Sequence, residues 1–209
     1  MARHYLKIGL VTRLERGVLK FPNDELQRDA SLKFVAKRIP GLHVGGKTAL
    51  AWRGVRHNLS PRERLVLWGD ARRSLPEWFT TRFPCHYVSK SLFSKELPAG
   101  FGLQPIPEEP DGPLVSVPER ALLEMLSEVG VRQSVEEARN IMEGVRSLRP
   151  DVLSRLLQNC LRVKVTRLCI QWAEELNLEW AAAARNSGKT GKGRWSTRLK
   201  DGTTLTLKP

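Results

Sequence analysis

The run Gly41-Leu-His-Val-Gly-Gly46-Lys47-Thr48 matches G-x-x-x-x-G-K-T, in which backbone amides and a lysine cradle phosphates while a threonine hydroxyl meets magnesium. A carboxylate-ended run, Leu65-Val-Leu-Trp-Gly-Asp70, follows it. A phosphate loop must leave a buried strand, however, and the segment ahead of it, Leu32 to Ile39, has helical spacing with Lys33, Lys37 and Arg38 interleaved. The ~20 residues from Thr48 to Asp70 are also few for a helix, a return loop and a second buried parallel strand. The expectation is a glycine turn capping the helix at Thr48, and an NTP-binding enzyme using Lys47 is the lesser alternative. Cys85 and His86 are neighbours, which on a strand sends them to opposite faces, so Cys85 reads as a small core residue and no nucleophile is expected. Glu108, Glu109, Asp111, Glu174 and Glu175 fit a polar loop and solvated helix faces. Three cysteines and His4, His43, His57 and His86 show no metal-ligand spacing, so no metal, cofactor or disulfide framework is expected.

Charge is the stronger signal. Lys and Arg number 35 against 22 Asp and Glu, a net of +13 that favours a polyanionic partner. The excess is uneven: +12 over residues 1–95, −5 over 96–184 and +6 over 185–209. No apolar run approaches the ~18 residues of a membrane span and no leader pattern opens the chain, so a cytoplasmic protein is expected.

Residues 2–8 read as a helix end closed by Gly9, and Leu10 to Phe21 as two short strands about Glu15-Arg16-Gly17. A helix followed by a basic hairpin is the tail of a winged helix. There the helix enters the major groove and the wing meets phosphates, which selects Arg3 and Lys7 on the helix and Arg13, Arg16 and Lys20 on the wing. Leu26, Ala30, Phe34, Val35 and Ile39 then predict an amphipathic helix, Thr48 to Trp52 a short one, and Leu65–Trp68 and His86–Val88 strands. Leu97 to Pro113 holds five prolines and three glycines and predicts a linker or surface loop.

Downstream, Ser116-Val-Pro-Glu119 and Ser134-Val-Glu-Glu137 both fit the S-x-x-E capping box, Pro150 suits a first helical turn, and Val165, Leu168, Cys169, Trp172 and Leu176 line a fourth helix. Trp172 and Trp180 fit core packing. After Ala184 the composition turns to Gly, Ser, Thr and Lys, and Trp195, Thr197, Leu199, Leu205 and Leu207 alternate as in a hairpin. Lys192, Arg194, Arg198 and Lys200 there form a second basic group able to meet a partner or nucleic acid, with Trp195 able to stack on a base or pack at an edge. The expected fold is α+β in three parts: a partial winged helix over 1–22, a mixed α/β segment over 23–112, and a helical bundle with basic tail over 113–209.

The ordered blocks Leu14-Glu-Arg-Gly-Val-Leu-Lys-Phe-Pro22, His43-Val-Gly-Gly-Lys-Thr-Ala-Leu50, Val117-Pro-Glu-Arg-Ala-Leu-Leu-Glu124, Met142-Glu-Gly, Leu148-Arg-Pro150 and Val163-Lys-Val-Thr-Arg-Leu168 resemble those of the AbiEi antitoxins of bacterial toxin-antitoxin systems. The resemblance spans most of the chain. It implies a winged helix-turn-helix that represses its own operon at operator DNA, here shortened to its last helix and wing. It also implies an antitoxin domain opposing an AbiEii-type nucleotidyltransferase toxin, and a Gly-Gly-Lys-Thr block that is a turn. No enzymatic activity is implied. A protein-only antitoxin that does not bind DNA is the alternative within the same resemblance.

Overall fold

A computed structural model describes residues 2–55, 64–72, 74–198 and 202–207. The chain opens with α1 (Ala2–Lys7) and the hairpin β1 (Thr12–Glu15) and β2 (Val18–Lys20), as expected from Gly9 and the Arg16-Gly17 turn. Both glycines have positive φ, +73° and +80°, which a side chain at either position would strain. The helix α2 (Arg28–Ala36) buries Leu32 and Val35, with Ile39 just beyond its end. Ala30 and Phe34, expected on that buried face, lie exposed. Phe34 finds use outside the core, under the Arg38 guanidinium and edge-on to Trp78.

A five-stranded mixed sheet forms the centre. Its strands are β3 (His43–Val44), β4 (Leu65–Trp68), β5 (Cys85–Val88), β6 (Leu103–Gln104) and β7 (Val115–Ser116), in the order β5-β4-β3-β7-β6. β4 pairs β5 in parallel and β3 pairs β7 in parallel, while the β3–β4 and β6–β7 pairs are antiparallel. The helices α3 (Gly46–Trp52) and α4 (Glu77–Arg82) connect its strands. The Pro-rich stretch 97–113 is thus more than a loop. It supplies β6, and its Leu97, Phe101 and Ile106 pack on the core. The sheet also draws strands from both sides of residue 113, because β7 completes it between β3 and β6.

The remaining helices are α5 (Pro118–Glu128), α6 (Val135–Glu143), α7 (Pro150–Gln158), α8 (Val163–Glu175) and α9 (Ala181–Ser187), followed by the hairpin β8 (Trp195–Arg198) and β9 (Thr204–Leu207). Composition did not announce α9, whose Ala-rich start is followed at once by polar residues. The architecture is α+β, and among the described residues no helix is long and apolar enough to cross a membrane. Ser134 caps α6 by accepting from the Glu137 amide at 3.1 Å, as the box predicts, and Pro150 opens α7. Ser116 does not cap α5. It lies in β7, Val117 takes the cap position, and Pro118 fills the first turn. The carboxylate of Glu119 reaches instead to Arg149 at the head of α7, accepting from its amide and Nε at 2.8 and 2.9 Å and from Nη2 at 2.9 Å.

The helix α5 is enclosed, with Glu119, Glu124 and Glu128 buried among its leucines. A buried carboxylate is costly unless partnered, so each of the three dictates what must sit opposite it. Glu119 takes Arg149, Glu124 takes His43 and Arg120, and Glu128 faces His86 and Arg132.

Candidate nucleic-acid interface

The hairpin sorts its residues by pleat. Val18 is buried, Leu14 half-buried, and the cross-strand pair Arg13 and Leu19 faces outward. A bulge at Leu14 sets Glu15 opposite Val18 and aims Glu15 at Arg38, just past α2, where the two form an ion pair. The hairpin's carboxylate is thereby neutralised from within. Lys20 is spent internally too, with Nζ donating to the carbonyls of Pro22 at 3.2 Å and Asp24 at 2.9 Å. Lys7, Arg13 and Arg16 are exposed and make no described hydrogen bond or ion pair. Arg3 lies in α1, and its side chain is outside the described residues. Of the five cations the sequence selects, Arg13 is therefore exposed on β1 and Arg16 at the hairpin turn, Lys7 is exposed at the end of α1, and Lys20 braces the chain just after β2.

The second basic group lies on a docked hairpin. Arg167, buried in α8, donates from Nε to Thr190 O at 2.7 Å, from Nη2 to Gly191 O at 3.3 Å and from Nη1 to Leu207 O at 3.4 Å. Leu207 is fully buried, and Trp195 and Leu205 pack on the core's edge. Trp195 is an edge-packing residue in this arrangement, with the Lys164 ammonium 6.0 Å from its ring. Lys192, Arg194 and Arg198 are exposed, and Lys200 lies outside the described residues. Sequence reasoning did not single out Arg167, since an arginine within an apolar helical stripe reads as an ordinary surface position.

The Gly-Gly-Lys-Thr block is a structural corner. The strand β3 occupies His43 and Val44, inside the motif, so the backbone is extended where a phosphate loop must curl. The amide of Gly46, at the start of α3, donates at 3.0 Å to Glu124 Oε2, which also accepts from Ser116 Oγ at 2.8 Å. Glu124 Oε1 accepts from His43 Nε2 and Arg120 Nε, both at 2.9 Å. A carboxylate of the chain itself thus sits where a phosphate loop would place its ligand. His43 Nδ1 lies 2.6 Å from Gly41 O, so both ring nitrogens lie against oxygen atoms of the chain. Burial alone would raise the Glu124 carboxyl, but the charge and hydrogen bond of His43, then those of Arg120, hold it down at about 2. Gly45 has no room for a side chain, because a Cβ there would lie 2.3 Å from Glu124 Oε2. Thr48 Oγ accepts from the Val66 amide at 3.0 Å, tying α3 to β4. Lys47 reaches Glu137 at 2.9 Å with both side chains more than a third exposed. Lys47→Ala is accordingly expected to cost at most about 1 kcal/mol, leaving the melting temperature nearly unchanged.

The other chemistry-bearing residues are accounted for similarly. Burial pushes the Cys85 thiol up to about 11, opposite to what a nucleophile needs. Glu108, Glu109 and Asp111 are exposed, Glu174 pairs Arg185, and Glu175 pairs Arg139. Among the described residues no three His, Cys, Asp or Glu side chains come together as metal ligands.

Two family models together match residues 1–205 of the chain. The model described as "Transcriptional regulator, AbiEi antitoxin N-terminal domain" covers residues 1–61, and that described as "Transcriptional regulator, AbiEi antitoxin, Type IV TA system" covers residues 62–205. No curated protein matches. Among solved structures, the crystal structure of the RV2827C protein from Mycobacterium tuberculosis is similar in fold, with a TM-score of 0.58 at 14% identity over 94% of this chain and 75% of that one.

Proposed function

Given that the chain belongs to the AbiEi antitoxin family of transcriptional regulators of type IV toxin-antitoxin systems, we propose that it binds operator DNA through the β1–β2 hairpin and the end of α1. The observation that carries this reading is the division of charge on the hairpin. Glu15 and Lys20 are engaged within the protein, and Arg13, Arg16 and Lys7 are left free at the surface. Exposed guanidinium groups on a two-stranded ribbon can meet phosphates and release counterions on binding. Arg3, on the same short helix, adds charge, and Lys20 acts by fixing the turn. Repression of its own operon follows from occupying the operator, and no catalytic step is needed.

The antitoxin role is assigned to the body and its C-terminal hairpin. Lys192, Arg194 and Arg198, with Lys200, present a basic edge to a nucleotidyltransferase toxin or to its nucleic-acid substrate, in the cytoplasm where both occur. The alternative, an antitoxin that works without DNA, differs in leaving Arg13 and Arg16 unused. The test is fluorescence anisotropy on the DNA upstream of the operon across a salt series. Arg13→Ala with Arg16→Ala should weaken binding to every sequence and reduce the salt slope by about two units, roughly 0.9 for each phosphate no longer neutralised. Retained affinity with an unchanged slope would overturn the assignment.

A further inference from the structure

The third buried carboxylate of α5 opens onto a cleft that the DNA-contact reading does not use. Its volume is about 460 Å³, within the range of small-molecule sites, and it lies between α3, β4, β5 and α5. Val66, Cys85 and Met125 give it an apolar part, and Arg64 and Arg132, both exposed, line it as well. Glu128, only 6% exposed, and His86 line this space, with Glu128 Oε2 and His86 Nε2 set against each other in its wall. Both atoms are out of contact with solvent and neither has a hydrogen-bond partner. They stand 3.5 Å apart, with Arg132 Nη1 3.6 Å from the same oxygen, so charge balances the group without satisfying its hydrogen bonding. Such unpaired atoms are expensive in a folded protein, which makes a pair of them on a cleft wall a reason to look for what they bind.

A ligand that fits must offer an N–H to the Glu128 oxygen, a flat apolar body to Val66 and Met125, and an anion to Arg64 and Arg132. We propose that this cleft binds a nucleoside monophosphate, free or as the terminal nucleotide of a strand, with its base edge on Glu128 and His86 and its phosphate on Arg64 and Arg132. Burial, and then the charge of Arg132, lowers the His86 pKa, so the ring is available neutral as a donor or acceptor to a base edge. The phosphate sits on these arginines and not on the Gly46 amide, which Glu124 already occupies.

The full chain should be titrated calorimetrically with AMP and CMP, with adenosine and cytidine, with inorganic phosphate, and with a 5′-phosphorylated tetranucleotide. Either monophosphate should bind at least about tenfold more tightly than its nucleoside or phosphate alone, as expected when both halves of the ligand are held. Glu128→Gln preserves shape and folding but replaces one carboxylate oxygen with a donor, and should weaken binding by about tenfold. Arg132→Ala, at an exposed position, should do so by a similar factor. A tetranucleotide that binds more tightly than the mononucleotides assigns the site to a strand terminus, and the reverse order assigns it to the free nucleotide. No binding of any nucleotide, or binding that both variants leave intact, would overturn the proposal.

Discussion

Glu124→Ala should be the most damaging single substitution in the chain, lowering stability by about 3–5 kcal/mol and the melting temperature by roughly 10 °C or more. The carboxylate has no exposed surface and accepts from four donors on three other segments and its own helix: the Gly46 amide, His43, Ser116 and Arg120. Removing it strands buried donors on Gly46, His43 and Ser116 and leaves the Arg120 guanidinium without its counter-charge. Glu124→Gln should fail nearly as badly, because both carboxylate oxygens accept, and an amide must turn its NH2 toward one pair of donors. Acid should mimic the substitution. The folded carboxyl titrates at about 2, well below its ordinary 4.5, so it contributes stability above 4.5 and loses it as pH falls from there toward 2. The depression is worth about 3 kcal/mol at neutral pH. Denaturant unfolding followed across this interval should show a steep loss of stability in the parent and a shallower one in Glu124→Gln. A Glu124→Ala protein melting within about 2 °C of the parent would remove the network from the account of the fold.

Arg167→Ala should detach the C-terminal hairpin and leave the body folded. Among the described residues the Arg167 guanidinium has carbonyl partners only, at Thr190, Gly191 and Leu207, and these span the segment that carries the chain from α9 into β8 and the end of β9. Hydrogen bonds from a charged donor contribute about 1.5–3 kcal/mol each at best, and Leu207 adds about 1.5–3 kcal/mol of burial that disappears with them. A short two-stranded hairpin is marginal once undocked, so the loss should be local and nearly complete. Hydrogen exchange should rise across 195–198 and 204–207 while α5 and α8 stay protected, with Arg167→Lys intermediate because an ammonium cannot span the three acceptors. Unchanged protection in both strands would show that apolar docking alone holds the hairpin. The same variant probes the antitoxin proposal: if the basic edge acts through its placement, growth rescue against the toxin should fall with no change of charge at Lys192, Arg194 or Arg198.

How far the sequence could be read depended on the range of each interaction. The N-terminal helix and hairpin, the start of α6 at Ser134, the proline-led start of α7 and the strands β4 and β5 were all legible, because period, cap and turn chemistry act within a few residues. The net positive charge and its concentration at both ends were legible for the same reason, and family membership follows from ordered local blocks. The misreadings fell where a distant residue competes for a local group. Ser116 looks like a cap, but Glu124 takes its hydroxyl; Glu119 looks like the partner in that box, but Arg149 takes its carboxylate from 30 residues away. The strand within the glycine motif exists because β4 and β7 flank it, and β7 lies some 70 residues further along the chain. Tertiary structure alone decided which carboxylates of α5 are buried and what each faces, since a buried charge is tolerable only where folding delivers its counter-charge. It likewise separated the basic residues by role. Identical in type along the sequence, Arg13 and Arg16 are left free by the hairpin's pleat and bulge, whereas Lys20, Arg120 and Arg167 are consumed holding the protein together.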